Sequence, residues 1–238
     1  MIVFVGNSCS IFKKSTQEYQ PEMVLIDGGT FIVGDVFEGK NTDALPTHNV
    51  YINSFHLARY EVTFEKYDAF AIETGRDLPN SGRFGRGNRA VVNITWDNAV
   101  AFCESLGYRL PSEVEWEYAA RSGGMNEQFS GTNSPDSLAD YAIIRSSNIN
   151  FSYAVGTKKP NHLGLYDMSG NVFEWVDEFY QFYSMPDQLH DHKNDGIRII
   201  RGGSFGEETT TTKTYWRTGT LRDVTATDLG FRCANDVK

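Results

Sequence analysis

GLYDMSGNVFEW, residues 164–175, sets two carboxylates, Asp167 and Glu174, on either side of a Ser169-Gly170-Asn171 centre and runs on into Val172, Phe173 and Trp175. A bulky apolar strand gains nothing from a glycine, an asparagine and two acids, so the pattern predicts a sharp turn feeding a strand. Turn carbonyls flanked by carboxylates form the donor set that a hard cation such as Ca2+ takes: several oxygens, at least one of them charged, on a bent backbone. The plainer reading is a surface turn whose acids are solvated. Spacing alone leaves both readings open.

Working outward, the chain has 238 residues, with 22 glycines, 16 phenylalanines and 12 tyrosines, a composition suited to short strands and ordered turns rather than to a helix bundle. That length buries about 70% of the unfolded surface in one core. Composition does not shift along the chain, so one domain over residues 22–238 is expected, preceded by a tail of residues 1–21. The net charge is -9 and no basic block occurs, which argues against nucleic acid or an anionic membrane surface as the main partner.

No stretch approaches the roughly 18–20 apolar residues that cross a bilayer. The opening MIVFVGNSCS has a five-residue apolar run with no basic residue ahead of it. It resembles the end of an export signal, and Cys9 would then be the acylated cysteine of a bacterial lipoprotein. The alternative is a frayed apolar tail. The other cysteines are Cys103 and Cys233, with no CxxC and no zinc spacing. The histidines are scattered apart from His190-Asp191-His192, a pair more often solvated than metal-bound in so polar a loop.

The rest of the chain reads as many short strands and few helices. Residues 23–34 place two apolar runs around Gly28-Gly29 and predict a hairpin. Thr63 is the expected N-cap of a helix ending at Gly75, with Phe64, Tyr67, Phe70 and Ala71 on its inner stripe. A second helix follows Thr95 and carries Cys103 on its buried face. A third opens with the capping box Ser112 to Glu115, turns Trp116 inward and stops at Gly123. Residues 124–162 read as a long irregular segment, which in a compact domain carries function or needs something to tie it down. Strands are expected over 197–201, 214–219 and 229–233. The class is α+β with short antiparallel strands and two to three helices.

The blocks MVLIDGGTFIVGD, YEVTFEKYDAF, VVNITWDNAVAFCESLGYRLPSEVEWEYAARSGG, GLYDMSGNVFEWV, RGGSF and LGFRC stand in an order that resembles the formylglycine-generating enzyme, or sulfatase-modifying factor, family over residues 23–234. The resemblance implies a loop-rich variant of the C-type lectin fold with bound calcium. Its best-retained calcium site falls on the Asp167 side chain, the Gly170 and Val172 carbonyls and the Glu174 side chain, and the calcium is expected to be structural. A second family site falls near residues 141–144, but Ile143 stands where an Asn side chain is required, so that site is not expected here. Cys103 and Cys233 match a pair that is disulfide-bonded in some members. Closing that loop is worth about 5 kcal/mol on chain-entropy reasoning, and the pair tips the expectation toward an exported or periplasmic chain, lipid-anchored if Cys9 is acylated, over a cytoplasmic one.

The departure from the family comes after Arg201-Gly202-Gly203-Ser204-Phe205. The resemblance implies two copper-binding cysteines there, and this chain has Glu207 and Thr212 at about those positions. Thiolates are the soft ligands that hold Cu(I), and a carboxylate with a hydroxyl does not replace them. No copper is expected, and copper-dependent formylglycine generation is not expected either. The first functional reading is therefore a ligand-binding or accessory protein that holds a peptide, protein or small molecule on Ser204, Glu207, Glu208, Tyr215, Trp216, Arg217 and Arg222, aromatic groups beside charged ones. Against it, Tyr215 and Trp216 could alternate between core and surface, with Arg217 closing a buried ion pair. The second reading is an oxidoreductase of a cysteine-independent branch resembling the pyoverdine-maturation enzymes, with Glu207 or Glu208 as general base beside Ser204. The sulfoxide-synthase branch requires a His-x3-Glu-x-His iron motif that is absent. A diversified ligand binder would favour asparagine where this strand has threonine, glutamate and lysine.

Overall fold

The computed structural model describes residues 19–145, 151–184 and 196–237. Cys9 and the His190-Asp191-His192 pair lie outside the described residues.

The Gly28-Gly29 step is a bend, not a hairpin turn. Strands β1 (Met23–Ile26) and β2 (Gly29–Val33) do not pair with each other; β1 pairs with β4 (Phe55–Ala58) and β2 with β3 (His48–Ile52). Both pairings follow one register, Ile26 opposite Phe55 and Gly29 opposite Ile52, so the four strands form a single long antiparallel ribbon kinked in the middle. Its tip is the polar segment between β2 and β3. The reason is a close approach: a Cβ on Gly28 would stand 2.4 Å from the Ile52 carbonyl oxygen, so the facing strand occupies the space a side chain would need. The inner half of the ribbon extends into a three-stranded sheet, β1-β4-β9, through β9 (Ala234–Asp236).

The helices start where their sequence signals put them, although Thr63 makes no side-chain cap bond and the third helix ends at Ala120 with Arg121, not Gly123, as its C-cap. α1 is Phe64–Thr74 and ends in the left-handed Gly75, φ 67°. α2 is Trp96–Ser105, and the Thr95 side chain accepts from the Asn98 N–H. α3 is Glu113–Ala120, and both halves of the Ser112–Glu115 capping box are made. The segment read as irregular contains a further short helix, α4 (Leu138–Tyr141), so the described residues hold four α-helices. Its four residues are too few to show a 3.6-residue period.

The second sheet has four strands in the order β7-β6-β5-β8, with β5 Phe173–Phe179, β6 Ile197–Arg201, β7 Arg217–Leu221 and β8 Leu229–Gly230. β5-β6 and β6-β7 are antiparallel, while β5-β8 is parallel. The expected strand over 214–219 is shifted to β7, and the one over 229–233 is shortened to β8, with β9 beginning just beyond it. One apolar cluster packs α1 and α2 against the start of β5 and Phe231; a second packs α3 against the kinked ribbon, Val176 and Ile199. Cys103 on α2 and Cys233 beside β9 have their sulfurs within bonding distance and their Cα atoms 5.7 Å apart.

Candidate functional site

The turn at residues 164–175 lies inside the molecule, so the surface-turn reading does not hold. Asp167 is 2% exposed and Asn171 and Glu174 are fully buried. Asp167, Gly170 and Asn171 all have left-handed backbone, φ 59°, 83° and 59°. At Gly170 no other residue fits, because a Cβ would meet the Ile143 carbonyl oxygen at 2.3 Å. The turn then acts as a hub for loops that have little secondary structure of their own. Gly170 N–H donates to the Gly202 carbonyl, Asn171 N–H to the Ile143 carbonyl, and Phe205 N–H to the Asn171 carbonyl. Ser169 Oγ donates to the Thr212 carbonyl and accepts from the Ser130 N–H. Asn171 Nδ2 donates to Glu61 Oε2 and its Oδ1 accepts from the Tyr153 N–H.

Four charges meet behind the turn. Arg232 donates to both oxygens of Glu174, from Nε and Nη2 at 2.7 Å each, and Trp116 Nε1 adds a third bond at 2.8 Å. Glu61 and Asp167 carry the two remaining carboxylates, against the single guanidinium. Burial, then the charges of Asp167 and Glu174, push the Glu61 carboxyl well above the usual range. Burial pushes Asp167 up to about 6, against the lowering effect of the Gly156 N–H.

For calcium, the fit is carried by Asp167. Its Oδ2 accepts from Gly156 N–H at 2.7 Å, while its buried Oδ1 has no hydrogen-bond partner. An orphaned carboxylate oxygen in a pocket with excess negative charge is what a divalent cation would satisfy. Glu174 is less open, since three donors already hold it. No three His, Cys, Asp or Glu side chains gather as metal ligands among the described residues, so a cation here would rely on backbone carbonyls for the rest of its shell. At the other family position, Ile143 is 3% exposed and pairs through its backbone with Gly170.

A second ionic network lies under β6 and β7. Glu113 and Glu117, one turn apart on α3, flank the inward Trp116 on the same helix face. Arg217 makes two bonds to Glu113 at 2.6 and 2.8 Å, and Arg201 reaches Glu117 at 2.6 Å and the Thr214, Tyr215 and Trp216 carbonyls. Arg121 adds a contact to Glu117 at 3.1 Å.

The structure divides the residues expected to form a ligand surface. Arg217 is 2% exposed and spent on Glu113, and Tyr215, 2% exposed, stacks on Phe37. Both therefore face the interior, Arg217 toward the Glu113 carboxylate of α3 and Tyr215 toward the Phe37 ring. Trp216 is half-buried against Phe173. Arg222 is exposed but distant in role, paired with Asp97 at the start of α2. Ser204 is buried, donating to Asp228 Oδ2 at 2.9 Å and accepting from the Gly206 N–H. Thr212 is fully buried with its hydroxyl on the Thr209 carbonyl. Glu207 is half-buried and accepts from Thr211 Oγ1; Glu208 is exposed.

Ser204, Glu207 and Glu208 stay together, and the residue that caps their loop is Arg145. Its backbone N–H donates to the Glu207 carbonyl, its Nε to the Gly206 carbonyl, and its Nη1 lies 3.6 Å from Glu208. Arg145 also belongs to a half-open cleft of about 610 Å3 whose lining includes Ala142, Ile143, Ile144, Tyr153 and Lys158. Local sequence signals do not show this cleft, since its walls come from segments without periodicity. The paired acids of α3 had a readable signal in the Glu-x-x-Trp-Glu spacing, and Glu61 one in its place between Tyr60 and Val62.

A loop-rich α+β domain of short sheets, tied together by one buried turn, defines a class in which most of the chain is positioned loop. The Sulfatase-modifying factor enzyme 1-like domain model matches residues 9–237, and the chain belongs to that family. A serine/threonine-protein kinase pkn1 of Chlamydia pneumoniae is 31% identical over 91% of this chain, which spans 38% of that kinase's length. The formylglycine-generating enzyme of Streptomyces coelicolor is 27% identical over 90% of this chain and 88% of its own. Among solved structures, Treponema denticola variable protein 1 superimposes with TM-score 0.78 at 25% identity, covering 90% of this chain and 95% of that one. PvdO from Pseudomonas aeruginosa gives TM-score 0.78 at 26% identity, covering 94% and 97%. The fold is the formylglycine-generating-enzyme-like variant of the C-type lectin fold. No helix among the described residues is long and apolar enough to cross a membrane.

Proposed function

We propose that this chain is a ligand-binding or accessory member of its family that does not generate formylglycine. The observation that carries this reading is the chemistry at positions 207 and 212. Glu207 offers a hard carboxylate, and Thr212 is a buried hydroxyl already donating to Thr209; neither is a soft donor for Cu(I). The binding surface is the rim formed by the half-buried Glu207 and the exposed Glu208 and Arg145, together with the adjoining cleft. A structural calcium at Asp167, Gly170, Val172 and Glu174 belongs to the same reading, supported by the unpartnered Asp167 Oδ1. So does an oxidised Cys103–Cys233 pair in an exported chain, supported by the sulfurs' proximity.

The test incubates the purified protein with copper and a sulfatase-motif cysteine peptide, followed by mass spectrometry. The expected result is an unchanged peptide; conversion of its cysteine to formylglycine overturns the reading. The second reading is an oxidoreductase of a cysteine-independent branch, supported by the likeness to PvdO. In that case Glu207→Gln would abolish turnover of an oxidisable substrate while leaving binding intact.

A further inference from the structure

We propose that the cleft beside Arg145 binds a small anion with an apolar, ring-bearing body. This rests on the reading of the chain as a ligand binder and names the ligand class of that site.

The volume, about 610 Å3, lies in the range of small-molecule sites, and such sites combine apolar walls with a few placed polar groups. Here the floor is apolar: Ala142 and Ile143 are buried, and Ile144 borders the opening. One wall is the Tyr153 ring. It is the last member of a stack in which Phe84 lies 4.0 Å from Phe151 and Phe151 lies 5.4 Å from Tyr153, with planes 18° and 1° apart. A flat ring placed in the cleft would meet an aromatic wall already held in position, which removes the cost of ordering it.

The rim supplies positive charge in a protein whose net charge is -9. Lys158 donates to the Ala139 carbonyl at 2.6 Å and has no carboxylate within ion-pair distance among the described residues. Among the described residues the one carboxylate paired with Arg145 is Glu208, at 3.6 Å with both side chains mostly exposed, a pairing that solvent largely screens. The nearby acid, Asp140, is taken by Lys159 at 2.8 Å. Two cations on the rim of an apolar cleft, each retaining donor capacity, select an anionic head group over a neutral or cationic one. A carboxylate and a phosphate share that chemistry.

The experiment titrates the full chain with 2-naphthoate, 2-naphthyl phosphate, 2-naphthylmethylamine and methyl 2-naphthoate, read by ligand fluorescence. Either or both anions are expected to bind saturably at one site, with the ester at least about tenfold weaker and the amine silent. Comparing the two anions identifies the preferred head group. Lys158→Glu is expected to weaken the anion about tenfold or more and Ala139→Trp, at the exposed rim, to block it; unchanged far-UV circular dichroism and Tm confirm that each variant is folded. Binding of the ester or amine as strong as that of the anions, anion binding indifferent to both variants, or no binding of any probe overturns the proposal. The copper-peptide assay is independent of this titration, so formylglycine formation would overturn the accessory-protein reading and leave the cleft's ligand class to be judged on its own data.

Discussion

Two regions a few residues apart in sequence treat charge in opposite ways. On β6 and at the start of β7, two arginines are locked inside: Arg201 is fully buried on Glu117 and three carbonyls, and Arg217 returns to Glu113. In the loop between them Glu207 is half-buried and Glu208 exposed, and the loop is held by short-range bonds such as Thr211 to Glu207 and Thr212 to Thr209. Buried ion pairs with satisfied hydrogen bonds are costly to break one partner at a time, whereas exposed ones contribute little. The contrast teaches that the RGGSF block belongs to the scaffold. It can persist intact in a chain whose adjoining loop has changed its chemistry.

The comparison can be tested from its strongest element downward. If Cys103 and Cys233 are oxidised, the double substitution to serine removes a tie across 130 residues and lowers stability by about 5 kcal/mol on the loop-closure estimate; urea unfolding measures it. Arg201→Met leaves Glu117 with Arg121 and the Gly34 N–H among the described residues and should cost about 3–5 kcal/mol by the same measurement. A loss below about 1 kcal/mol would erase the distinction between scaffold and loop.

Calcium comes next. At a concentration 100-fold above its Kd it should raise stability by about 2.7 kcal/mol, seen as a rise in Tm that EDTA reverses and Asp167→Asn abolishes. An EDTA-indifferent Tm would leave Arg232 as the counterion of the turn among the described residues.

The pH dependence follows from Glu178 in the scaffold, whose carboxyl accepts from the Glu113 N–H. Burial, then the charge of Glu113, pushes it up to about 8. A folded pKa above the unfolded value of about 4.3 means that the folded state holds the proton more tightly. Its contribution is therefore fully present below the unfolded pKa and is lost as pH rises through about 8. Glu178→Gln should flatten the stability–pH curve over that window, measured by denaturation at a series of pH values. The smallest effect is expected in the loop: Glu208→Ala should change stability by less than about 0.5 kcal/mol, while altering anion affinity at the cleft through Arg145.

Much of the fold was legible. The Ser112–Glu115 box, the Gly75 stop and the strand at 197–201 appear where local signals put them, because caps and periodicity act over a few residues. Gly28-Gly29 was misread as a hairpin turn because the same residues serve a bend whenever a facing strand comes close, and the partner, 26 residues away at Ser54, leaves no local trace. α4 was too short to show a period. Of the expected ligand residues, Ser204, Glu207 and Glu208 stay together. Arg217 turns inward to Glu113 and Tyr215, in the turn before β7, to Phe37, and both partners lie too far away in sequence to leave a local trace.

The sequence by itself determined the family, the turn at residues 164–175 and the absence of cysteines at positions 207 and 212. All three are matters of residue identity and short spacing. Only the tertiary structure decided that this turn is buried, that Arg232 holds Glu174, that Asp167 Oδ1 stands without a partner, and that Arg145, Tyr153 and Lys158 share a cleft. Those facts depend on contacts between distant segments, where burial and low dielectric turn ordinary side chains into fixed charges and donors.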